Sequence, residues 1–232
     1  MLRGVVFDLD GVIVDSHPLH KQAWRAFLAS MDKQVPESDL DFIFEGRRRR
    51  DILIHFLGKL SDSEIQEYSE RKDFFFQQSC ADPEAVAGTV EMIRKLKQAG
   101  LKIALATSAS RNRARWTLQQ LKIAEYFAVV ITGDDVIESK PDPTIYRLAA
   151  QNLKIAPECL LAVEDSVCGV QSAKSAGLRC LGIGHGENVP RLIQAGTDRV
   201  VPNLVDLSIK ELEEVFSAAP RSGLAGAKDR SA

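Results

Sequence analysis

Asp8 and Asp10 close an apolar run at residues 4–10, Gly-Val-Val-Phe-Asp-Leu-Asp. In an extended chain, residues two apart point to the same side. The run therefore predicts a buried strand that delivers two carboxylates side by side at its carboxyl end. Such neighbours repel, and they are tolerated where a cation neutralises them or one carries a proton. A calcium loop of the EF-hand type is excluded by spacing. Gly11 falls at the fourth loop position instead of the sixth, and Leu19 stands where a bidentate glutamate belongs. Further along, Thr107 and Ser108 put hydroxyls after the apolar run at 101–106, Lys140 precedes a proline-led helix, and Glu164 and Asp165 follow the apolar run at 159–163. Each has a plainer reading: Thr107 as a helix cap, Lys140 as a solvated lysine, the acid pair as caps of the next helix. Together they place acids, hydroxyls, a lysine and further acids on one edge of one sheet. That set suits a divalent cation, a phosphoryl group and a nucleophile.

The elements that must position these groups follow from hydrophobic periods. Strands are predicted at 4–10, 101–107, 128–131, 159–163 and 179–183, with a further one at 198–201, and helices at 89–99, 110–121, 143–153, 167–176 and 209–216. Repeated strand–helix units imply a parallel sheet covered on both faces. Between 16 and 82 only helical periods occur, at 18–31, 49–57 and from a capping box at Ser61–Glu64 to about 79. The chain is thus expected to be an α/β protein: a Rossmann-like parallel sheet core of 1–15 and 83–216, an inserted helical cap of 16–82 and a flexible tail of 217–232. An insert leaving from the end of the first strand stands above the strand carboxyl ends, where ligands of open sheets bind, and is placed to act as a lid.

The motifs at Asp8-Leu9-Asp10-Gly11, Thr107-Ser108, Lys140 and Glu164-Asp165 resemble, in that order, those of the haloacid dehalogenase superfamily of phosphotransferases. The likeness covers nearly the whole chain. Within that superfamily the chain resembles the branch of β-phosphoglucomutase and small sugar-phosphate phosphatases, through Asp15, His20 and Trp24, through Gly46 with Arg49, and through the run Ser108-Ala109-Ser110-Arg111-Asn112. The resemblance implies Asp8 as nucleophile, forming an aspartyl-phosphate, and Asp10 as general acid and then base. It implies Mg²⁺ held by Asp8, the backbone carbonyl of Asp10, Asp165 and Glu164, with Lys140 and Thr107 or Ser108 on the phosphoryl oxygens. It further implies substrate contacts from His20, Trp24, Gly46, Arg49, Ser110, Arg111 and Asn112. Dehalogenases and phosphonatases of similar fold lack an acid at position 10, so its presence favours phosphate esters. The mutase pattern has lysine before the cap glycine, where this chain has Glu45, which favours hydrolysis over the competing phosphomutase reading. A receiver-type phosphoacceptor is the distant alternative; such domains are about half this length and carry the acceptor on the third strand.

The bulk properties agree with a soluble enzyme. The 232 residues carry 30 basic and 32 acidic side chains, a formal net charge of -2, and 45% hydrophobic residues. No bulk positive charge draws nucleic acid, and the run Arg47–Arg50 lacks an aromatic platform. No apolar run approaches the ~20 residues of a membrane helix. The four cysteines are scattered without a CxxC, and the first residues lead directly into a strand with no leader cleavage site. The expectation is a cytoplasmic monomer acting on a small phosphorylated metabolite, with neither nucleic acid nor membrane as partner. Gly182–Gly186 is read as a turn and not as a dinucleotide loop.

Overall fold

The computed structural model describes residues 1–44, 47, 49–79 and 83–217. Strands β1 (Gly4–Phe7), β2 (Lys102–Ala106), β3 (Val129–Ile131), β4 (Leu160–Glu164), β5 (Arg179–Ile183) and β6 (Arg199–Val201) form one sheet of order β3-β2-β1-β4-β5-β6. Every pairing is parallel. β1 and β4 are buried along their whole length, as expected of central parallel strands covered on both faces.

Alternate residues feed two cores. Val5, Phe7, Leu105 and Val163 pack on one face with α4 (Thr89–Gln98), α5 (Arg111–Gln120) and α9 (Ile209–Ser217). Val6, Ala104, Ala162 and Cys180 pack on the other with α6 (Thr144–Leu153), α7 (Val167–Ser175) and α8 (Asn188–Ala195). Full burial of each large apolar side chain contributes about 1.5–3 kcal/mol. The sequence reading has no helix at 188–195. Pro190 obscures it, yet proline is tolerated in a first turn, where its N–H would lack a partner anyway.

Between β1 and β2 the chain makes α1 (His17–Ala29), a 3₁₀ stretch (Glu37–Phe44), α2 (Arg49–Leu57) and α3 (Asp62–Ser79), with no strand among the described residues. The α3 start carries the anticipated capping box: the Ser61 amide donates to Glu64 Oε2 at 2.8 Å and the Glu64 amide to Ser61 Oγ at 3.3 Å. These helices have their own core of Trp24, Phe27, Leu28, Leu40, Ile52 and Leu53. The two chain crossings into this helical unit lie side by side. Val14 bridges Ala85, and the Asp15 amide donates to Glu84 O at 2.9 Å. Of the tail expected at 217–232, Ser217 instead ends α9, and residues 218–232 lie outside the described residues. No helix of the described residues is long and apolar enough to cross a membrane.

Candidate active site

Register decides which side chains meet. Phe7 pairs with Leu105 on one side and Val163 on the other, so Asp8 emerges beside the ends of β2 and β4. The strand order reverses there: one connection from β1 leads to β2 and β3, and the chain returns at β4 on the opposite side. A crevice of this kind is where open α/β sheets bind ligands. The Asp8 amide donates to Val163 O at 3.0 Å, which fixes the turn that follows. Gly11 takes φ +70°, and a Cβ there would overlap the carboxylate of Asp165, so the turn requires glycine.

Asp8, Glu164 and Asp165 each offer a carboxylate oxygen, all within 4.8 Å of one another and buried. Hard oxygen donors in such a group fit a hard divalent cation. Lys140 is the counter-charge within the protein. Its Nζ, at 1% side-chain exposure, donates to Asp8 Oδ1 at 2.9 Å, to Glu164 Oε1 at 2.6 Å and to Ala106 O at 3.1 Å. Glu164 is held further by the Tyr146 hydroxyl at 2.6 Å and by Ser166 Oγ at 3.1 Å. Burial pushes the Asp8 carboxyl up to about 8; Lys140 opposes the rise, while Glu164 and Asp165 add to it. Burial also raises Asp165, although His17, 3.1 Å away, works against it. One lysine thus does not balance three buried acids, and a bound cation would relieve the remaining repulsion.

The Asp10 side chain shares the pocket with this cluster but has its own partners. Its Oδ1 accepts from Ser16 Oγ at 2.5 Å, from Arg113 Nη1 at 2.7 Å and, at 3.2 Å, faces His20 Nε2; Oδ2 is held by Arg113 Nη2. Burial alone would raise the Asp10 carboxyl, but Arg113 and then His20 outweigh it and hold it well below the usual range. Asp10 is therefore a carboxylate in this arrangement, and an acid role requires that its partners change. His20 Nδ1 lies 2.8 Å from Lys72 Nζ. Burial, and then Lys72, pushes His20 down to about 3.

One pocket is lined by Asp8, Asp10, Thr107, Ser108, Lys140 and Asp165 from the sheet edge, and by His20, Trp24 and Arg49 from the helices above. Thr107 Oγ1 accepts the Ala109 amide at 3.1 Å. Trp24 also packs edge-on against Phe27 in the core of the helical unit. Arg49 reaches the pocket while paired to Asp73 at 2.6 Å. Three expected substrate residues are not brought to this lining. Ser110 caps α5, Arg111 pairs with Asp135, and Asn112 lines a separate cleft. Gly46 and Glu45 lie outside the described residues, as does Arg48. Of the arginine run, Arg47 stacks over Phe42 and Arg50 pairs with Asp62 at the surface. Asp15 is exposed.

Sequence reasoning missed Arg113 and Lys72, two buried basic side chains that also line the pocket; burial, and then Arg49 and Arg113, hold Lys72 well below the usual lysine range. The Lys72 signal was present: it lies one helical turn before Phe76, and both are buried on the face of α3 that packs toward α1. Arg113 gave no comparable signal, since α5 begins Arg-Asn-Arg-Ala-Arg and three arginines compete for one inward position.

A model of the family described as haloacid dehalogenase-like hydrolase matches residues 5–183. A phosphorylated carbohydrates phosphatase of Thermotoga maritima is 33% identical over 86% of this chain and 94% of its own. A β-phosphoglucomutase of Bacillus subtilis is likewise 33% identical, over 92% and 95%. The crystal structure of CbbY from Rhodobacter sphaeroides in complex with phosphate superposes with a TM-score of 0.80 at 27% identity, covering 92% of this chain and 100% of that one.

Proposed function

Because the chain belongs to the haloacid dehalogenase-like hydrolases, within their β-phosphoglucomutase-like and sugar-phosphatase branch, we propose that it hydrolyses a small phosphorylated sugar or similar monoester with Mg²⁺ as cofactor. The observation that carries this reading is the buried trio Asp8, Glu164 and Asp165 joined to Lys140, with Asp10 in the same pocket.

Asp8 attacks phosphorus. The bond from phosphorus to the ester oxygen breaks as the bond to the Asp8 carboxylate forms, and the leaving oxygen takes a proton that Asp10 has picked up from solvent once its present partners have moved. Asp10, now a base, removes a proton from water, and that water displaces Asp8 to release inorganic phosphate. Lys140 and a hydroxyl of Thr107 or Ser108 hydrogen-bond the phosphoryl oxygens as charge shifts onto them. Asp8, Asp165 and Glu164, with the Asp10 carbonyl, would hold Mg²⁺, which would supply the neutralisation that lets a dianion approach a carboxylate. The helices of 16–82 serve as the lid that excludes bulk water from these steps.

Identity to a phosphatase and to a mutase is equal, so the choice rests on the site. A mutase must hold a second phosphate, and two cations suited to it, Arg49 and Arg111, are already paired with Asp73 and Asp135. This favours hydrolysis. The test is phosphate release across a panel of sugar phosphates with Mg²⁺, read beside ³¹P NMR of β-glucose 1-phosphate with catalytic glucose 1,6-bisphosphate. Release of inorganic phosphate is expected. Accumulation of glucose 6-phosphate without it would assign the chain to the mutases.

A further inference from the structure

Arg113 occupies both oxygens of the one carboxylate that the proposed reaction needs as a proton donor. While it stays there, Ser16 and His20 join Arg113 on Oδ1, and Oδ2 is turned to the guanidinium with one acceptor position left, so the carboxylate is oriented by Arg113. The structure provides a second place for this guanidinium. Among the described residues, Arg113 Nε and Asp73 Oδ1 are both buried without a hydrogen-bond partner. They are of complementary kind, a donor and a charged acceptor, and each such orphan is costly to bury.

The two residues are also neighbours. Asp73 Oδ2 accepts from Ser110 Oγ at 3.3 Å, and the same hydroxyl accepts the backbone amide of Arg113 at 3.4 Å. Arg113 lines the active-site pocket on one side and, on the other, a separate cleft whose walls include Asp73, Phe76 and Trp116. The ring of Phe76 lies 5.5 Å from the guanidinium carbon and offers a face over which the cation can slide. Asp10 and Arg113 belong to the sheet unit, whereas Asp73 and Phe76 sit on α3 of the helical unit. Any shift of α3 relative to α5 therefore changes the Asp73 route and leaves the Asp10 route as it is.

Resting on the phosphatase reading above, we propose that Arg113 is a positioning residue that exchanges the carboxylate of Asp10 for Oδ1 of Asp73 during turnover. It thereby releases Asp10 to the leaving oxygen only when the cap helix α3 is in place. In the free enzyme the same arginine keeps Asp10 occupied, so the acid is withheld from water.

The test has two readouts. The first compares Asp73→Asn, Arg113→Gln and the double variant on an alkyl and an aryl phosphate. Asp73→Asn leaves Arg113 only one carboxylate. Its kcat for the alkyl ester should fall on the order of 10²-fold, within the range of a lost general acid, with KM little changed and a much smaller loss for the aryl ester. Adding Arg113→Gln should then raise alkyl-ester kcat above that of Asp73→Asn. Equal losses on both esters, or a double variant no faster than Asp73→Asn, would overturn the exchange. The second readout needs no turnover: the ¹⁵N resonance of Arg113 Nε in the wild type, with and without Mg²⁺ and beryllium trifluoride as the phosphoryl mimic. Gain of Asp73 should shift this resonance and slow its hydrogen exchange; no change overturns the proposal. A wild type that hydrolyses nothing removes the phosphatase reading but leaves this spectrum to decide the exchange.

Discussion

Lys140 sits between Asp8 and Glu164 at 1% and 0% side-chain exposure for the lysine and the glutamate, so each charge depends on the others for its solvation. Removing one partner of a buried pair typically costs about 3–5 kcal/mol, because the remaining charge is stranded. Lys140→Met should therefore lower the melting temperature sharply as well as abolish turnover, and Mg²⁺ should recover part of the stability by taking up the stranded carboxylates. A melt indifferent to both the substitution and the metal would contradict this account of the cluster. Asp8→Asn is the complementary experiment. It removes the nucleophile but leaves Lys140 with Glu164, so the far-UV spectrum and cooperative unfolding should persist while phosphate release is lost. Substantial turnover by folded Asp8→Asn protein would reject covalent catalysis at this residue.

At the level of elements, the site is set by how closely α7 approaches the end of β4. Gly169, in the first turn of α7, has no room for a side chain: a Cβ there would overlap the Glu164 carboxylate. The helix start also holds that carboxylate, through Ser166 Oγ, which itself accepts the Gly169 amide at 3.1 Å. Gly169→Ala is expected to displace Glu164 while Lys140 stays bonded to Asp8. Changes that disturb the support of a ligand commonly cost 10–100-fold in metal affinity, so the Mg²⁺ concentration for half-maximal activity should rise by roughly tenfold or more. An unchanged Mg²⁺ titration would show that Glu164 does not serve the cation.

For the whole molecule, the junction between sheet unit and helical unit is a buried polar relay of Arg113, Asp10, His20 and Lys72, and its pH response follows from His20. Unfolded, the imidazole takes a proton near 6.5; in the native protein burial and Lys72 postpone this to about 3. Between those values the unfolded chain binds the extra proton. This contribution to stability is therefore present above about pH 6.5 and is lost as pH falls, at up to ~1.4 kcal/mol per pH unit. Asp8 works in the opposite direction in the metal-free protein. Its folded carboxyl, raised to about 8, holds a proton that the unfolded chain has released, so its contribution falls as pH rises from about 4 to 8. Comparing wild type with His20→Gln at one metal concentration cancels the Asp8 part. Denaturant midpoints from pH 6.5 down to 4 should show the wild type losing stability more steeply than the variant; parallel curves would mean that His20 titrates normally in the fold.

The sheet, the helical insert after its first strand, and the meeting of Asp8, Lys140, Glu164 and Asp165 were legible in the order of residues along the chain. The reason is connectivity. Every βα unit in a parallel sheet ends its strand on the same edge, so residues following apolar runs must converge there whatever the helices do. The capping box at Ser61–Glu64 was equally legible, because its partners lie three residues apart. The tertiary structure alone decided what surrounds Asp10. Arg113 is 103 residues away from it and Lys72 is 52 away from His20, and nothing local says which of several cations on a polar helix turns inward. Packing of α3 against α1, and the burial of Arg113 on α5, made that choice. Ser110, Arg111 and Asn112, in the same stretch, do not line the pocket to which their motif pointed.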